Sequence, residues 1–188
     1  MHSSLQLDLH PGFYLTLAFM ALFVPLKWCF AFVVASLFHE VCHFAAVGIC
    51  GGQITHLQAR GSGAAMEAWG LSPPRALLCT LAGPLGSLLL LPFARWCPRL
   101  ALCAAMQTCY NLLPLNGLDG GHALRQIFHW IFPLPIAEKR YALLQNILQL
   151  AMVTGGIWCS FALKLGILPL LISLALILKS RNGKIPCK

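Results

Sequence analysis

Acidic residues are nearly absent: the 188-residue chain has five, Asp8, Glu40, Glu67, Asp119 and Glu138. Charged residues of both signs make up 10% of it and hydrophobic residues 59%, whereas a soluble domain carries about 25% charged residues. So little polar surface cannot cover a core in water, which excludes a soluble globular enzyme and leaves lipid as the solvent. The net charge of +8 does not signal nucleic acid, because no basic stripe with interleaved aromatics accompanies it. The cations stand singly between apolar runs and in the tail Lys179, Arg181, Lys184, Lys188, the pattern of cytoplasmic anchoring of membrane segments. No C-x-x-C pair occurs among the nine cysteines, so they read as small buried hydrophobes. No Lys or Arg precedes the first apolar run and no small-residue cleavage site follows it, so a cleavable signal peptide is not expected.

What is present is a series of apolar segments, at about 13–26, 28–50, 76–93, 100–118, 142–161 and 166–178. The expected fold class is therefore all-α: a polytopic transmembrane helical bundle of about six segments. The longest polar stretch, Gly51 to Arg75, is too short for a soluble domain, so residues 1–188 are expected to form a single membrane-embedded domain. With this layout, nine of the Lys and Arg residues fall on the side of the two termini and four (Lys27, Arg95, Arg99, Lys164) on the other. The positive-inside bias then puts both termini in the cytoplasm.

Two of the five carboxylates, Glu40 and Asp119, lie in or beside apolar segments. A charged side chain at the centre of a spanning helix costs about 2.5–3.5 kcal/mol on insertion scales, so these two are candidates for use. The second segment carries His39-Glu40-Val41-Cys42-His43, an H-E-x-x-H motif. On a helix, positions i and i+4 share a face, so both histidines can reach one metal, with Glu40 beside them as proton acceptor. A chain of this composition produces the motif by chance roughly four times in a thousand. A catalytic zinc needs a third protein ligand. The fourth segment runs out through Asn111-Leu112-Leu113-Pro114-Leu115-Asn116-Gly117-Leu118-Asp119-Gly120-Gly121-His122, where Asp119 ends the apolar run and the two glycines allow a sharp turn after it. Taken alone, that string reads equally as an exit turn. The second and fourth segments run in the same direction, however, which brings Asp119 toward the depth of the histidines. Asp119 is the preferred ligand over His122, since an anion partly neutralises zinc in a low dielectric; His122 is a candidate to orient Asp119 or substrate. Small residues in Leu81-Ala82-Gly83-Pro84-Leu85-Gly86 would let the third segment pack closely.

His39-Glu40-Val41-Cys42-His43, Ala82-Gly83-Pro84, and Asn111-Leu112-Leu113-Pro114 leading to Leu118-Asp119-Gly120-Gly121 resemble the three core motifs of site-2 proteases, zinc metalloproteases that cut within membranes. The resemblance covers roughly residues 28–122, leaving 13–26, 142–161 and 166–178 as accessory segments. It implies one zinc ion held by His39, His43 and Asp119, Glu40 as catalytic base, and Asn111 as a group that holds substrate or its oxyanion. Ser87 stands where the family often has asparagine, and Asn116-Gly117 where it often has proline-rich sequence. The six-segment plan is similar to the short branch that includes sporulation sigma-factor processing proteases, without their regulatory domain and without room for a PDZ insert.

The implied reaction is hydrolysis of a transmembrane or membrane-associated protein near the cytoplasmic face, with the lipid bilayer as the other partner and no nucleic acid. The stretch Gly51–Gly63 is expected to be an irregular loop, with an edge strand for an extended substrate as its alternative. The alternative functions are a non-proteolytic metal-binding membrane protein, such as a zinc carrier or scaffold, and a hydrolase of a small amphiphile. A carrier needs polar groups along a route through the bilayer, and a scaffold has no use for Glu40. The topology is checked by a reporter fused after residue 188 and by cysteine labelling near Arg95. The two should report opposite sides of the membrane; agreement would mean that the segment count is wrong by an odd number.

Overall fold

A computed structural model describes residues 6–9, 11–60, 63–162 and 166–182 of the chain. Its order is β1 (Gln6–Leu9), α1 (Pro11–Phe23), α2 (Leu26–Ile49), β2 (Gln53–Arg60), β3 (Gly63–Trp69), α3 (Pro73–Ser87), a 3-10 helix (Leu88–Arg95), α4 (Pro98–Asn111), α5 (Asp119–Ile131), α6 (Leu134–Phe161) and α7 (Leu168–Asn182). The fold is all-α with one small sheet. The chain divides into two compact units, 1–111 and 112–188.

Among the described residues, three helices are long and apolar enough to cross a membrane: Leu26–Ile49, Pro73–Arg95 and Leu134–Phe161, of 24, 23 and 28 residues. At about 1.5 Å per residue each exceeds the roughly 30 Å hydrocarbon core. Every expected apolar segment contains a helix. Three of them are short: α1 has 13 residues, α4 has 14 and α7 has 15.

In the first unit many large apolar side chains point outward, Leu26 being 81% and Ile49 86% exposed, while the buried apolar residues are mostly small: Ala31, Ala35, Cys79, Ala101 and Ala104, with Val47. Lipid solvates a leucine as well as another leucine does, so membrane helices associate through small residues that let backbones approach. The helix α2 ends in a left-handed cap at Gly51 (φ 77°). Gly51 N–H donates to the Gly48 carbonyl and Gly52 N–H to the Val47 carbonyl, a Schellman motif that turns the chain straight into β2. The sheet order is β1-β2-β3, with β1 parallel and β3 antiparallel to β2. The expected irregular loop at 51–63 is therefore mostly strand, and it is the central strand. Both its edges are occupied, so an added extended segment can join only at β1 or β3. Its uneven alternation of apolar residues hides the strand, and a register irregularity between Ile54 and His56 contributes to that. The third segment is α up to Ser87 and 3-10 beyond. A proline at position 92 has no N–H for an α-helical bond and would crowd the Leu88 carbonyl.

In the second unit the boundary expected near residue 118 is corrected. The apolar run ends as helix at Asn111, residues 112–118 form an irregular loop containing Pro114 and Gly117 (φ 80°), and Asp119 opens α5 rather than closing the preceding segment. The residues just before Pro114 cannot easily stay helical, and an anionic side chain is favourable in a first helical turn. The sharp turn falls at Gly117. Gly120 and Gly121 are helical, and a Cβ on either would collide with backbone carbonyls, those of Leu112 and Leu113 for the first and that of Leu115 for the second. The polar run Glu138-Lys139-Arg140, read as connection, lies inside α6, where Glu138 pairs with Arg125 of α5 at 2.8 Å.

Gly121→Ala should therefore destabilise the chain by about 1–3 kcal/mol, since a backbone carbonyl cannot swing aside as a flexible side chain can. Gly155→Ala in α6 meets nothing within 4 Å and should be neutral or stabilising by about 0.4–1 kcal/mol. Thermal unfolding of the two variants in detergent checks the contrast.

Candidate metal centre

His39, Glu40 and His43 lie in the second half of α2, His39 buried and the other two half-buried. The imidazoles of His39 and His43 are one turn apart, with ring centroids 4.8 Å apart, planes at 80° and Nε2 atoms separated by 3.2 Å. Each ring is held from behind by α3. His43 Nδ1 lies 2.7 Å from the carbonyl oxygen of Cys79; a carbonyl only accepts, so this nitrogen bears the proton. Ser87 Oγ donates to the Gly83 carbonyl at 3.0 Å and lies 3.2 Å from His39 Nδ1. With the hydroxyl proton engaged there, Ser87 accepts from His39 Nδ1–H. The Nε2 atoms are thus the unprotonated nitrogens of the two rings, 3.2 Å apart.

This is the test of whether the residues fit a metal. An unprotonated imidazole nitrogen is a metal donor. With metal–nitrogen bonds of about 2.0–2.1 Å in tetrahedral geometry, two ligating nitrogens stand roughly 3.3–3.4 Å apart, close to the spacing the helix already provides. Ligating histidines characteristically donate their other ring N–H to a carbonyl or similar group, as both do here. The helices come this close because a Cβ at Gly83 would overlap the His43 ring and one at Gly86 the Cys42 side chain. The small residues of the third segment serve close packing, as expected.

The helix α4 completes this part of the centre. Thr108 Oγ1 donates to the Pro84 carbonyl at 3.2 Å, Gln107 Nε2 to Ser36 Oγ at 3.3 Å, and the carboxamide of Asn111 puts Nδ2 3.3 Å from His39 Nε2. Asp119, half-buried, is the first residue of α5, and His122 lies half-buried one turn later. Among the described residues, one group of His, Cys, Asp or Glu side chains is able to hold a metal ion: His39, His43 and Asp119, whose ligand atoms all lie within 4.8 Å of one another. Two imidazoles and one carboxylate are a zinc donor set.

No protein-family model matches the chain, and no curated protein matches it by sequence. The solved structure of a site-2 protease from Methanocaldococcus jannaschii matches all of this chain and 94% of that one, with a TM-score of 0.69 at 20% identity. The chain has the fold of a site-2 protease. The likeness extends well beyond the motif-bearing residues, through the accessory helices at both ends, and with the three span-length helices it marks a membrane protein.

The residues that motif reading passed over are Ser87 and Cys79. Ser87 carried a signal, a hydroxyl one helical turn after Gly83 in an apolar segment, but it stood only as a departure from the family pattern. Cys79 acts through its backbone carbonyl, which no residue type reveals. Ser87→Ala leaves His39 Nδ1–H without its acceptor and should weaken zinc binding by about 10–100-fold, read by competition with a chelator. Unchanged affinity would mean that Ser87 does not set the tautomer of His39.

Proposed function

We propose that the chain is a zinc-dependent intramembrane endopeptidase of the site-2 protease family. It would cleave a transmembrane or membrane-associated protein near the cytoplasmic side, as one multi-pass domain with both termini in the cytoplasm. The observation that carries this reading is the pair of imidazoles one turn apart on an H-E-x-x-H helix, each held at Nδ1 from α3, which with Asp119 make a zinc donor set in a chain with the site-2 protease fold.

His39, His43 and Asp119 would hold the ion, and zinc, when bound, supplies a Lewis acid that polarises a peptide carbonyl and brings the pKa of a water toward about 7. Glu40 follows His39 directly and is rotated about 100° around the helix from it. Its carboxylate takes the proton of the attacking water and passes it to the departing amine. The Asn111 carboxamide, beside His39 Nε2, donates to the oxygen that becomes negative as the carbonyl is attacked. His122, one turn beyond Asp119 on the same helix face, orients that carboxylate or the substrate. A carboxylate directly after a candidate ligand in the H-E-x-x-H motif favours hydrolysis over metal transport.

The experiment is to purify the full chain, measure bound zinc and follow cleavage of a transmembrane test peptide. Glu40→Gln should keep its zinc and lose roughly 10²–10⁴-fold in rate; normal turnover would sink the protease reading. Asp119→Ala should lose zinc and cleavage together, whereas His122→Ala keeps most of its metal. The reverse result would move the third ligand to His122.

A further inference from the structure

Inside α6, one of the three span-length helices, lies a glutamine that is 3% exposed. A buried carboxamide is costly unless both its ends are bonded, and both ends of Gln145 are bonded to the same loop. Its Nε2 donates to the Pro114 carbonyl at 2.8 Å, and its Oε1 accepts from the Asn116 backbone N–H at 3.2 Å. These opposite partners also fix which end is oxygen. One turn earlier on α6, the buried Tyr141 places its hydroxyl 2.5 Å from Asn116 Oδ1 and 3.1 Å from the Gly121 carbonyl. Two side chains on one face of α6 thus bond four groups in residues 114–121, on both sides of Asp119.

Burial of Leu115 and Leu118, 2% and 3% exposed, packs that segment, but apolar packing is not directional and does not by itself fix the path of an irregular backbone. Residues 112–118 are neither helix nor strand. Their own backbone contributes Leu115 N–H to the Leu113 carbonyl and Leu118 N–H to the Leu115 carbonyl. Asn116-Gly117 is a pair of high intrinsic freedom, with Gly117 in the left-handed region at φ 80°. The start of α5, and hence the position of its first carboxylate, depends on where this loop is pinned.

We infer that Gln145, with Tyr141 beside it, is a positioning residue for Asp119: it clamps the loop that delivers the third metal ligand. The inference rests on the proposed metal centre for its consequence and on the hydrogen bonds within 112–188 for its geometry. Gln145 touches neither metal nor substrate. It acts by restricting the loop, so that the carboxylate meets the ion already ordered and no conformational freedom is lost on binding.

The test uses the full chain in detergent micelles, with two readouts. The first is backbone hydrogen exchange in the chelated protein, where Gln145→Met, similar in volume and without the carboxamide, should raise exchange across 112–119 by at least about tenfold and leave α2 unchanged. The second is zinc affinity, which should fall by about 10–100-fold. Gln145→Glu keeps an acceptor for Asn116 N–H and, when ionised, loses the donor to Pro114, so its affinity loss should shrink as pH falls and the carboxyl regains a proton. Unchanged exchange at 112–119, or a rise spread through every helix, overturns the inference. So does unchanged zinc affinity in a variant whose parent binds zinc. A parent that binds no zinc rejects the metal centre itself, and the role of Gln145 toward Asp119 falls with it. If Gln145→Met does not fold, Tyr141→Phe removes one hydroxyl and keeps the ring; it should raise exchange in the same segment, and no rise there overturns the clamp.

Discussion

Two imidazoles can present Nε2 lone pairs to one point only if something else holds both of their Nδ1 protons, and the first unit is organised around that requirement. The acceptors are the Cys79 carbonyl and the Ser87 hydroxyl, both on α3. They reach the rings because Gly83 and Gly86 carry no side chain to keep α3 away from α2. An H-E-x-x-H helix alone would leave each ring free to rotate and to exchange tautomers. Packed against α3 it presents a fixed pair of donors.

Proline has a second role in this arrangement. Backbone carbonyls at or beside a proline lie where regular helical bonding is interrupted, and in an apolar medium such groups need partners inside the protein. Thr108 donates to the carbonyl of Pro84 and Gln145 to that of Pro114. Both are buried polar side chains, and each ties a neighbouring helix to a segment near the candidate metal ligands. Breaks in the helices thus become fixed points.

The candidate carboxylate ligand is held differently from the two histidines. His39 and His43 are placed by the period of one long helix, which is stiff over the four residues that separate them. Asp119 follows an irregular loop, and its position depends on bonds from α6 and on two glycines that let α5 start tight against the loop carbonyls. Rigid secondary structure holds two candidate ligands, and a clamp of side-chain hydrogen bonds holds the third.

The sequence by itself determined the membrane character of the chain, the approximate helical segments and the shared face of His39 and His43. Those conclusions rest on composition and on spacings of a few residues, where helix geometry is local. It ran the fourth segment on to 118 and had no helix where α5 stands, because an apolar run continues through 112–118 although the helical backbone does not, and it took β2 for a loop because uneven apolar alternation hid a strand that pairs with β3 just after it and with β1 50 residues before it, as in Leu7 against Leu57. Only the tertiary structure decided which nitrogen of each histidine carries the proton, since the acceptor for His43 is a backbone carbonyl 36 residues away and that for His39 a hydroxyl 48 residues away. A backbone carbonyl is the same for every residue type, so no letter in the sequence marks the one that fixes a histidine's tautomer.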